Sequence, residues 1–417
     1  MQRFGGVVIH MQKSLNNDEL RVLENVTYLV GNANVVNKML EVPAMPPFNE
    51  DIIDFLDLLS KKIMKSREAK SYPDVVTLGF WMRKSSMLGL KNEYSKEDGN
   101  FYLGRGIAFH IAPSNVAVNF AYSLVSGLLT GNSNIVRVPT KEFPQVKIII
   151  DALNETLCEY EQLTPYVCLV RYERNKEVND LFSSIADTRI IWGGDSTIQE
   201  IRKSPLSPRA GEITFADRYS LAIIDCDSYM EIDDKSRVAE SFYNDTYLTD
   251  QNACTSPRLI VWMGNRKRQA KEIFWDKLHC LVEKKYNFQA IQGINKLTNS
   301  YLMAVHQPGA KIQNCGDNLI VRVKVPKIAE DLMDMKDNSG YFFEYDCDDI
   351  MELRQLCDDK RCQTVGYIGD SNVLVPLILS GIHGVDRIVP VGKTMDFEML
   401  WDGYNLYERL TRVIRIV

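Results

Sequence analysis

Cys254 stands in a polar loop, Asp250-Gln251-Asn252-Ala253-Cys254-Thr255-Ser256-Pro257, that leads directly into the apolar run Arg258 to Met263. Among small and polar neighbours a thiolate (free pKa about 8.5) can be stabilised by backbone donors, and that is the form that attacks carbonyl carbon. The chain carries nine cysteines, Cys158, Cys168, Cys226, Cys254, Cys280, Cys315, Cys347, Cys357 and Cys362. Several fall inside apolar or helical patterns, where free cysteine behaves as a small hydrophobe. A lone loop cysteine is itself more often structural than catalytic, so Cys254 needs company. In Pro113-Ser114-Asn115 the proline ends an apolar strand, Ser114 or Asn115 can cap the next helix, and Asn115 offers an amide donor at the positive helix end. A developing oxyanion needs such a donor, although a plain N-cap explains the residue as well. Trp192-Gly193-Gly194-Asp195-Ser196 joins an apolar strand to a helix, and its glycines would let backbone approach a pyrophosphate at a helix start. The turn is neither Gly-x-Gly-x-x-Gly nor a Walker loop, and an ordinary tight turn fits it equally.

The elements that must position these residues come from an ordinary globular composition. The 417 residues are 45% hydrophobic and 25% charged, which suggests two to three domains and is enough chain for two separate cores. The net charge of −6 leaves no basic excess to neutralise a phosphate backbone, which argues against nucleic acid as partner. No run reaches the roughly 20 apolar residues of a membrane span, and the N-terminus lacks a signal-peptide core. The cysteines form no Cys-x-x-Cys pair, and the five histidines show no zinc spacing, so no metal site is expected. Free thiols in a reducing, cytoplasmic compartment fit this usage.

The first hundred residues read as lead-in: a short strand at Val7 to His10, a helix near 49–66 with Ile52, Ile53, Leu56, Leu59 and Ile63 on one face, and a loop at Lys91 to Asn100. Strand and helix then alternate. Strands are expected at 104–112, 133–138, 166–172, 188–192 and 220–225, and helices at 116–129, 143–161, 176–186 and 196–203. That is how a parallel sheet covered on both faces reads. A second alternation has helices at 234–247, 266–285, 290–305 and 348–360, with strands at 258–263, 319–325, 341–346 and 364–368. The expected fold is α/β, with two doubly wound domains. Residues 1–228 would form the first, 229–385 the second with Cys254, and 386–417 a return to the first domain or an oligomerisation arm.

Together and in this order, the three motifs resemble the aldehyde dehydrogenase superfamily. In that family a Pro-x-Asn turn supplies the oxyanion donor, a strand–Gly–Ser-type turn faces a nicotinamide cofactor, and a Gln-x-x-Cys loop supplies the nucleophile. Gly131-Asn132 and the strand to Val138-Pro139 resemble its Gly-Asn-strand-Lys-Pro segment. That implies Arg137, Thr140 and Lys141 near the adenosine ribose, beside Pro113, Ser114, Gly193, Gly194, Asp195 and Ser196 as cofactor contacts. A nearer resemblance is to the fatty-acyl-CoA reductase of bacterial bioluminescence. It rests on GRGIAFHIAPSNV, GNSNIVRVP, IIWGGDSTIQEIR, DQNACTSPRLIVW, VDRIVPVG and WDGYN, and covers about residues 100 to 417.

That resemblance implies NAD(P)H-dependent reduction of an acyl-CoA or acyl-protein thioester to the aldehyde, through a thioacyl-Cys254 intermediate with Asn115 on the oxyanion. The stretch Thr214-Phe215-Ala216-Asp217-Arg218 offers no glutamate where hydrolytic relatives activate water; Glu212 and Asp217 are its nearest carboxylates. Release to a thiol such as coenzyme A then fits better than hydrolysis. Glu344 is a weak substitute for the family's ribose-binding glutamate. NADPH is slightly preferred to NADH, because Arg137 and Lys141 can meet a 2′-phosphate. A homo-oligomer and an acyl-transferring partner enzyme follow from the resemblance alone. The rival readings are a CoA-acylating aldehyde dehydrogenase for short aldehydes, a non-catalytic subunit of the same fold, and a Cys–His hydrolase using His110.

Overall fold

Short apolar runs buried on both faces need sheet neighbours on either side and helices above and below. In a computed structural model, which describes residues 14–95, 98–314 and 316–417, they build two such sheets. The expected strand at Val7 to His10 lies outside the described residues. The chain divides into one unit running to Phe215 and resumed over Asn405–Val417, and another over Ala216–Tyr404.

The strands of the first unit are β1 (Thr27–Val30), β2 (Phe101–Gly104), β3 (Ile107–Ile111), β4 (Ser133–Arg137), β5 (Val167–Arg171), β6 (Thr188–Trp192) and β7 (Gly211–Phe215). Six make one sheet in the order β1-β5-β4-β3-β6-β7, antiparallel at β1 and parallel elsewhere. β2 pairs instead with Thr411–Ile414 near the C-terminus. The helix over Glu50–Lys65 buries Ile52, Ile53, Leu56, Leu59 and Ile63 as their spacing requires, and Asn49 caps it by accepting from the Asp51 N–H. Two elements depart from expectation. The polar stretch at 91–100 is entered by a helix, Lys84–Tyr94, because Met87 and Leu90 one turn apart give it a buried face. β7 matches no expected strand, since its burial alternates only at Ile213 and Phe215.

The second unit holds β8 (Tyr219–Asp225), β9 (Pro257–Met263), β10 (Lys311–Asn314), β11 (Val321–Lys324), β12 (Tyr341–Asp346), β13 (Cys362–Ile368) and β14 (Arg387–Pro390). Their order is β10-β11-β12-β9-β8-β13-β14, antiparallel only at β10. The strand near 220–225 therefore belongs to the second sheet, and the chain divides at Phe215/Ala216 rather than 228/229. β8 is central, and its two faces feed two separate cores, Leu221 and Ile223 on one side, Ala222 and Ile224 on the other. A strand apolar on both faces does not say in sequence which sheet it joins. The C-terminal segment is likewise shared: β14 stays in the second sheet, and only the chain from Asn405 returns. No helix among the described residues is long and apolar enough to cross a membrane.

Candidate functional site

The parallel strands of the first unit end together at Ile111, Arg137, Arg171, Trp192 and Phe215. From β3 the chain winds outward through β4 and β5, then crosses back to place β6 on the other side of β3. Open α/β sheets bind ligands at such a reversal, outside the carboxyl ends of the strands. Ile111 is in register with Ile191, so the turns carrying Pro113-Ser114-Asn115 and Gly193-Gly194 flank that crevice. Ser114 and Asn115 are exposed, as are Asp195 and Ser196.

Neither Ser114 nor Asn115 caps the helix. It begins at Asn119 behind Val118, which makes no side-chain cap bond, so Asn115 sits in the loop ahead of the helix. The apolar residues Val116 to Val118 look helical in sequence, yet Ala117 and Val118 form a turn whose side chains are buried. Gly194 starts the Asp195–Arg202 helix with φ −66°, a conformation any residue adopts, and a Cβ there would meet no atom within 4 Å. Packing therefore does not demand a glycine at 194. The open face beside it, next to the unpaired first N–H groups of a helix, fits a flat or anionic ligand group. Asp195 in the first helical turn already places negative charge there, so a ring rather than a phosphate suits this turn better.

After β4, Thr140 and Lys141 are exposed, and the Lys141 ammonium lies 4.8 Å from the Phe143 ring centre. Arg137 is half-buried. It donates to the Tyr172 carbonyl at 3.2 Å and lies over the Tyr172 ring, so packing already accounts for much of its guanidinium. The exposed Thr140, Lys141, Ser114 and Ser196 and the open face at Gly194 fit a nicotinamide dinucleotide along this edge.

In the second unit the Cys254 loop lies at the opposite edge of its sheet, ahead of the amino end of β9. Asp250 and Gln251 both adopt left-handed backbone, φ 52° and 53°, which non-glycine residues hold only when their surroundings insist. Gln251 shows what insists. Its Oε1 accepts from the N–H groups of Gly340 (2.7 Å) and Tyr341 (3.2 Å), and its Nε2 donates to the Pro257 carbonyl at 3.1 Å. Gly340, at φ +88°, lies so close that a Cβ would strike the Leu319 carbonyl at 2.3 Å. Buried Arg258 donates to the carbonyls of Gln251 and Asp337 and to Asn338 Oδ1. Ser220 Oγ donates to the Cys254 carbonyl at 2.7 Å. The loop is thus fastened on three sides to β8, β9 and the approach to β12.

Cys254 is half-buried, and burial pushes its thiol up. Asp217 and Asp402 push it further, whereas the Arg218 backbone N–H directed at the sulfur and the Arg258 guanidinium pull it down. The backbone donor anticipated for this sulfur is present, but burial outweighs it and the resting group is a thiol. Buried Cys168, Cys226 and Cys347 are driven up to about 12, chiefly by burial. Arg218 pairs with Asp386 at 2.8 Å and reaches Asp402 at 4.0 Å. Asp402, in the WDGYN turn, accepts from Gln363, and its carboxyl is raised to about 6, chiefly by burial. Burial also lowers Arg258 to about 10.

Side-chain contacts correct the expectation for Glu344 and account for two other residues that the sequence brings into question, Glu212 and His110. Glu344 is buried in β12, where Oε1 accepts from the Trp262 (3.0 Å) and Trp275 (2.8 Å) indoles. It is a core acceptor with no free oxygen for a ribose, because Arg322 lies 3.7 Å from its other one. Glu212, one of two carboxylates near the missing glutamate, is tied to Arg189 and Arg202. His110, the base of the hydrolase reading, is buried with Nδ1 on Ser123 (2.7 Å) and Nε2 on Asn134 (3.0 Å), and burial lowers it to about 4. With both nitrogens taken inside the first unit, it has none to orient a cysteine. In sequence Gln251 is only a motif letter, and Arg258 only the start of a strand. Their anchoring contacts join residues up to 90 positions apart, and an arginine opening an apolar strand is the one visible signal.

Comparison with known proteins agrees with this architecture. Residues 30–288 match the model of a family described as acyl-CoA reductase (LuxC). The match thus begins well ahead of residue 100 and stops before the VDRIVPVG and WDGYN motifs. Long-chain acyl-protein thioester reductases of Photorhabdus laumondii subsp. laumondii and Photorhabdus luminescens are 22% identical over 331 and 328 residues, covering 74% of this chain. The chain spans 63% of the length of these curated relatives. A benzaldehyde dehydrogenase from Corynebacterium glutamicum superposes with a TM-score of 0.60 at 11% identity, over 89% of this chain and 85% of that one. For a point mutant of Thermus thermophilus 1-pyrroline-5-carboxylate dehydrogenase the values are 0.62, 12%, 96% and 86%. For lactaldehyde dehydrogenase from Escherichia coli they are 0.61, 13%, 95% and 91%. The fold is that of the aldehyde dehydrogenases.

Proposed function

Because the chain belongs to the acyl-CoA reductase (LuxC) family, we propose that it reduces an acyl thioester to an aldehyde, with Cys254 carrying the acyl group. The observation that carries this reading is the Cys254 loop itself. Two left-handed residues, a buried glutamine clamp and a buried arginine fix one half-buried sulfur, with a backbone N–H aimed at it. A structural cysteine needs none of this.

In the proposed reaction Cys254 gives up its proton and its sulfur attacks the thioester carbonyl. The carbonyl electrons move to oxygen, held by the Asn115 amide and the Cys254 backbone N–H. When they return, the bond to the departing thiol breaks, and that thiol leaves with a proton. A reduced nicotinamide, when bound, supplies a hydride to the acyl carbon. The Cys254 sulfur then leaves, takes up a proton, and free aldehyde departs.

We assign the cofactor to the edge lined by Pro113, Ser114, Thr140, Lys141, Gly193, Gly194, Asp195 and Ser196. NADPH is preferred, with Lys141 rather than the engaged Arg137 toward a 2′-phosphate. Coenzyme A and a carrier protein both fit as acyl donors, and the relatives' name supports a protein-borne long chain. A homo-oligomer, an acyl-transferring partner enzyme and a cytoplasmic setting complete the proposal.

The test is a panel of acyl-CoA chain lengths and an acyl-protein with NADPH and NADH, following loss of reduced nicotinamide. Thioester-dependent oxidation is expected, and Cys254→Ala should abolish it while cofactor still binds. Aldehyde formation by that variant would overturn the assignment.

A further inference from the structure

Beneath the two turns of the first unit runs a buried chain of polar side chains that the proposed chemistry does not use. The Trp192 indole N–H lies 3.1 Å from Ser123 Oγ, and Ser123 Oγ lies 2.7 Å from His110 Nδ1. His110 Nε2 lies 3.0 Å from Asn134 Oδ1, and Asn134 Nδ2 donates to the Asn132 carbonyl at 2.7 Å. All four side chains are buried.

One assignment of protons satisfies every member. The Asn134 amide nitrogen donates to a carbonyl, so its Oδ1 must accept, and His110 Nε2 carries the hydrogen. Nδ1 is then an acceptor, filled by the Ser123 hydroxyl hydrogen. The Ser123 oxygen keeps a lone pair for the indole, which can only donate. Donation therefore runs from Trp192 through Ser123 to His110, and from His110 through Asn134 to the backbone. Burial, which lowers His110 to about 4, keeps it neutral and the order fixed at physiological pH.

Each member sits where it bears on the crevice. His110 is the next-to-last residue of β3, just before the Pro113-Ser114-Asn115 turn, and Trp192 is the last residue of β6, just before Gly193. Ser123 lies in the helix that follows the first turn, and Asn134 in β4. Trp192 also stacks on Phe215, ring centres 3.7 Å apart, and Gly193 N–H donates to the Phe215 carbonyl at 3.0 Å. The helix even forgoes a side chain for this chain of bonds, since a Cβ at Gly127 would lie 1.8 Å from Asn134 Oδ1. In a low-dielectric interior a fully satisfied network holds its members in one arrangement, whereas a half-satisfied one does not.

We infer that His110 is a positioning residue for the cofactor, locking the Pro113–Asn115 and Gly193–Gly194 turns to each other through Ser123 and Trp192. The inference rests on the proposed nicotinamide site at this edge. The Gly193-Gly194 turn has no side chains of its own with which to hold its place, so its position is set by Trp192 on one side and β7 on the other.

The experiment compares His110→Phe, His110→Gln and Trp192→Phe with the parent chain. Glutamine can accept from Ser123 and donate to Asn134, so it preserves the direction of donation, while phenylalanine breaks it. Two readouts are taken: the indole N–H resonance of Trp192 in 15N-tryptophan-labelled protein, identified by its loss in Trp192→Phe, and the KM for NADPH beside that for the thioester. In His110→Phe the resonance should shift and exchange faster with water. Its KM for NADPH should rise about tenfold, as expected for loss of a buried hydrogen bond, with kcat and the thioester KM within about twofold. His110→Gln should restore both readouts. Trp192→Phe, which keeps the ring on Phe215, should raise the NADPH KM about threefold and remains available if His110→Phe fails to fold. An unmoved indole resonance would overturn the network. A moved resonance with unchanged NADPH KM would overturn its link to the cofactor. A parent chain that binds neither NADPH nor NADH would instead remove the functional reading and this inference with it.

Discussion

The two sheets are built alike but put their chemistry at opposite edges. In the first, the turns follow the carboxyl ends of β3, β4 and β6, and their tips carry glycine, serine, asparagine, threonine and lysine, with Ser114, Asn115, Thr140 and Lys141 exposed. In the second, Cys254, Arg218, Gly340 and Asp386 all precede the amino ends of their strands, β9, β8, β12 and β14, and hydrogen bonds and ion pairs from Gln251, Arg258 and Arg218 fasten this edge. The carboxyl edge is left open, as suits a ligand that comes and goes. The amino edge is spent on holding one atom still, as suits a group that must be aimed. This contrast is what mutation can break.

The largest effect is expected at the open edge, from the proposed oxyanion donor. Asn115→Ala should lower the rate of acyl transfer to Cys254 by about 10²–10³, the usual cost of one oxyanion donor, measured as the pre-steady-state release of thiol. Its folding stability should hardly change, because the residue is exposed in a loop. Gln251→Leu should do the reverse. Leaving the Gly340 and Tyr341 N–H groups buried without an acceptor should cost about 2–5 kcal/mol in chemical denaturation, whatever happens to cofactor affinity. Equal losses in the two variants would erase the distinction between an open edge and a fastened one.

Gly194→Ala sharpens the comparison from the other side. The added methyl meets nothing in the protein, so the melting temperature should stay put, while the methyl occupies the face proposed for the cofactor and raises the KM for NADPH about tenfold. A variant that binds NADPH normally would move the ligand elsewhere on the edge. The smallest effect concerns the pH at which Cys254 reacts. Asp402 raises the thiol, so Asp402→Asn should lower it and enlarge the thiolate fraction below the thiol's own pKa. Alkylation of Cys254 by iodoacetamide at pH 7 should then quicken a few-fold, with the rate–pH curve displaced to lower pH. A slower reaction would mean that Asp402 helps to remove the proton more than its charge opposes removal.

What the residues disclose in advance follows the same division. Short open turns after apolar strands are local features, so Pro113-Ser114-Asn115 and Gly193-Gly194 are legible, as is Cys254 in its polar loop. The first turn still misleads in detail: Ala117 and Val118 continue the apolar pattern but not the helix, which leaves Asn115 ahead of the helix instead of on it. The fastening of the Cys254 loop is not legible, because Gln251 meets Gly340 and Tyr341 across the sheet and no spacing in sequence records that. Glu344 misleads for a related reason. A carboxylate inside an apolar strand invites a functional reading, and only the neighbouring Trp262 and Trp275 show that two indoles require it. β8 reads as part of the wrong sheet, since a strand apolar on both faces fits the centre of either.

The proposed reduction requires one sulfur, that of Cys254, to become acylated. Exposing the full chain to a long-chain acyl-CoA without reductant, then digesting it and weighing the cysteine peptides, tests this directly. The acyl mass should appear on the Cys254 peptide alone, be removed by hydroxylamine, and vanish when NADPH is added. An acyl group on another cysteine, or on none while aldehyde still forms, would contradict it.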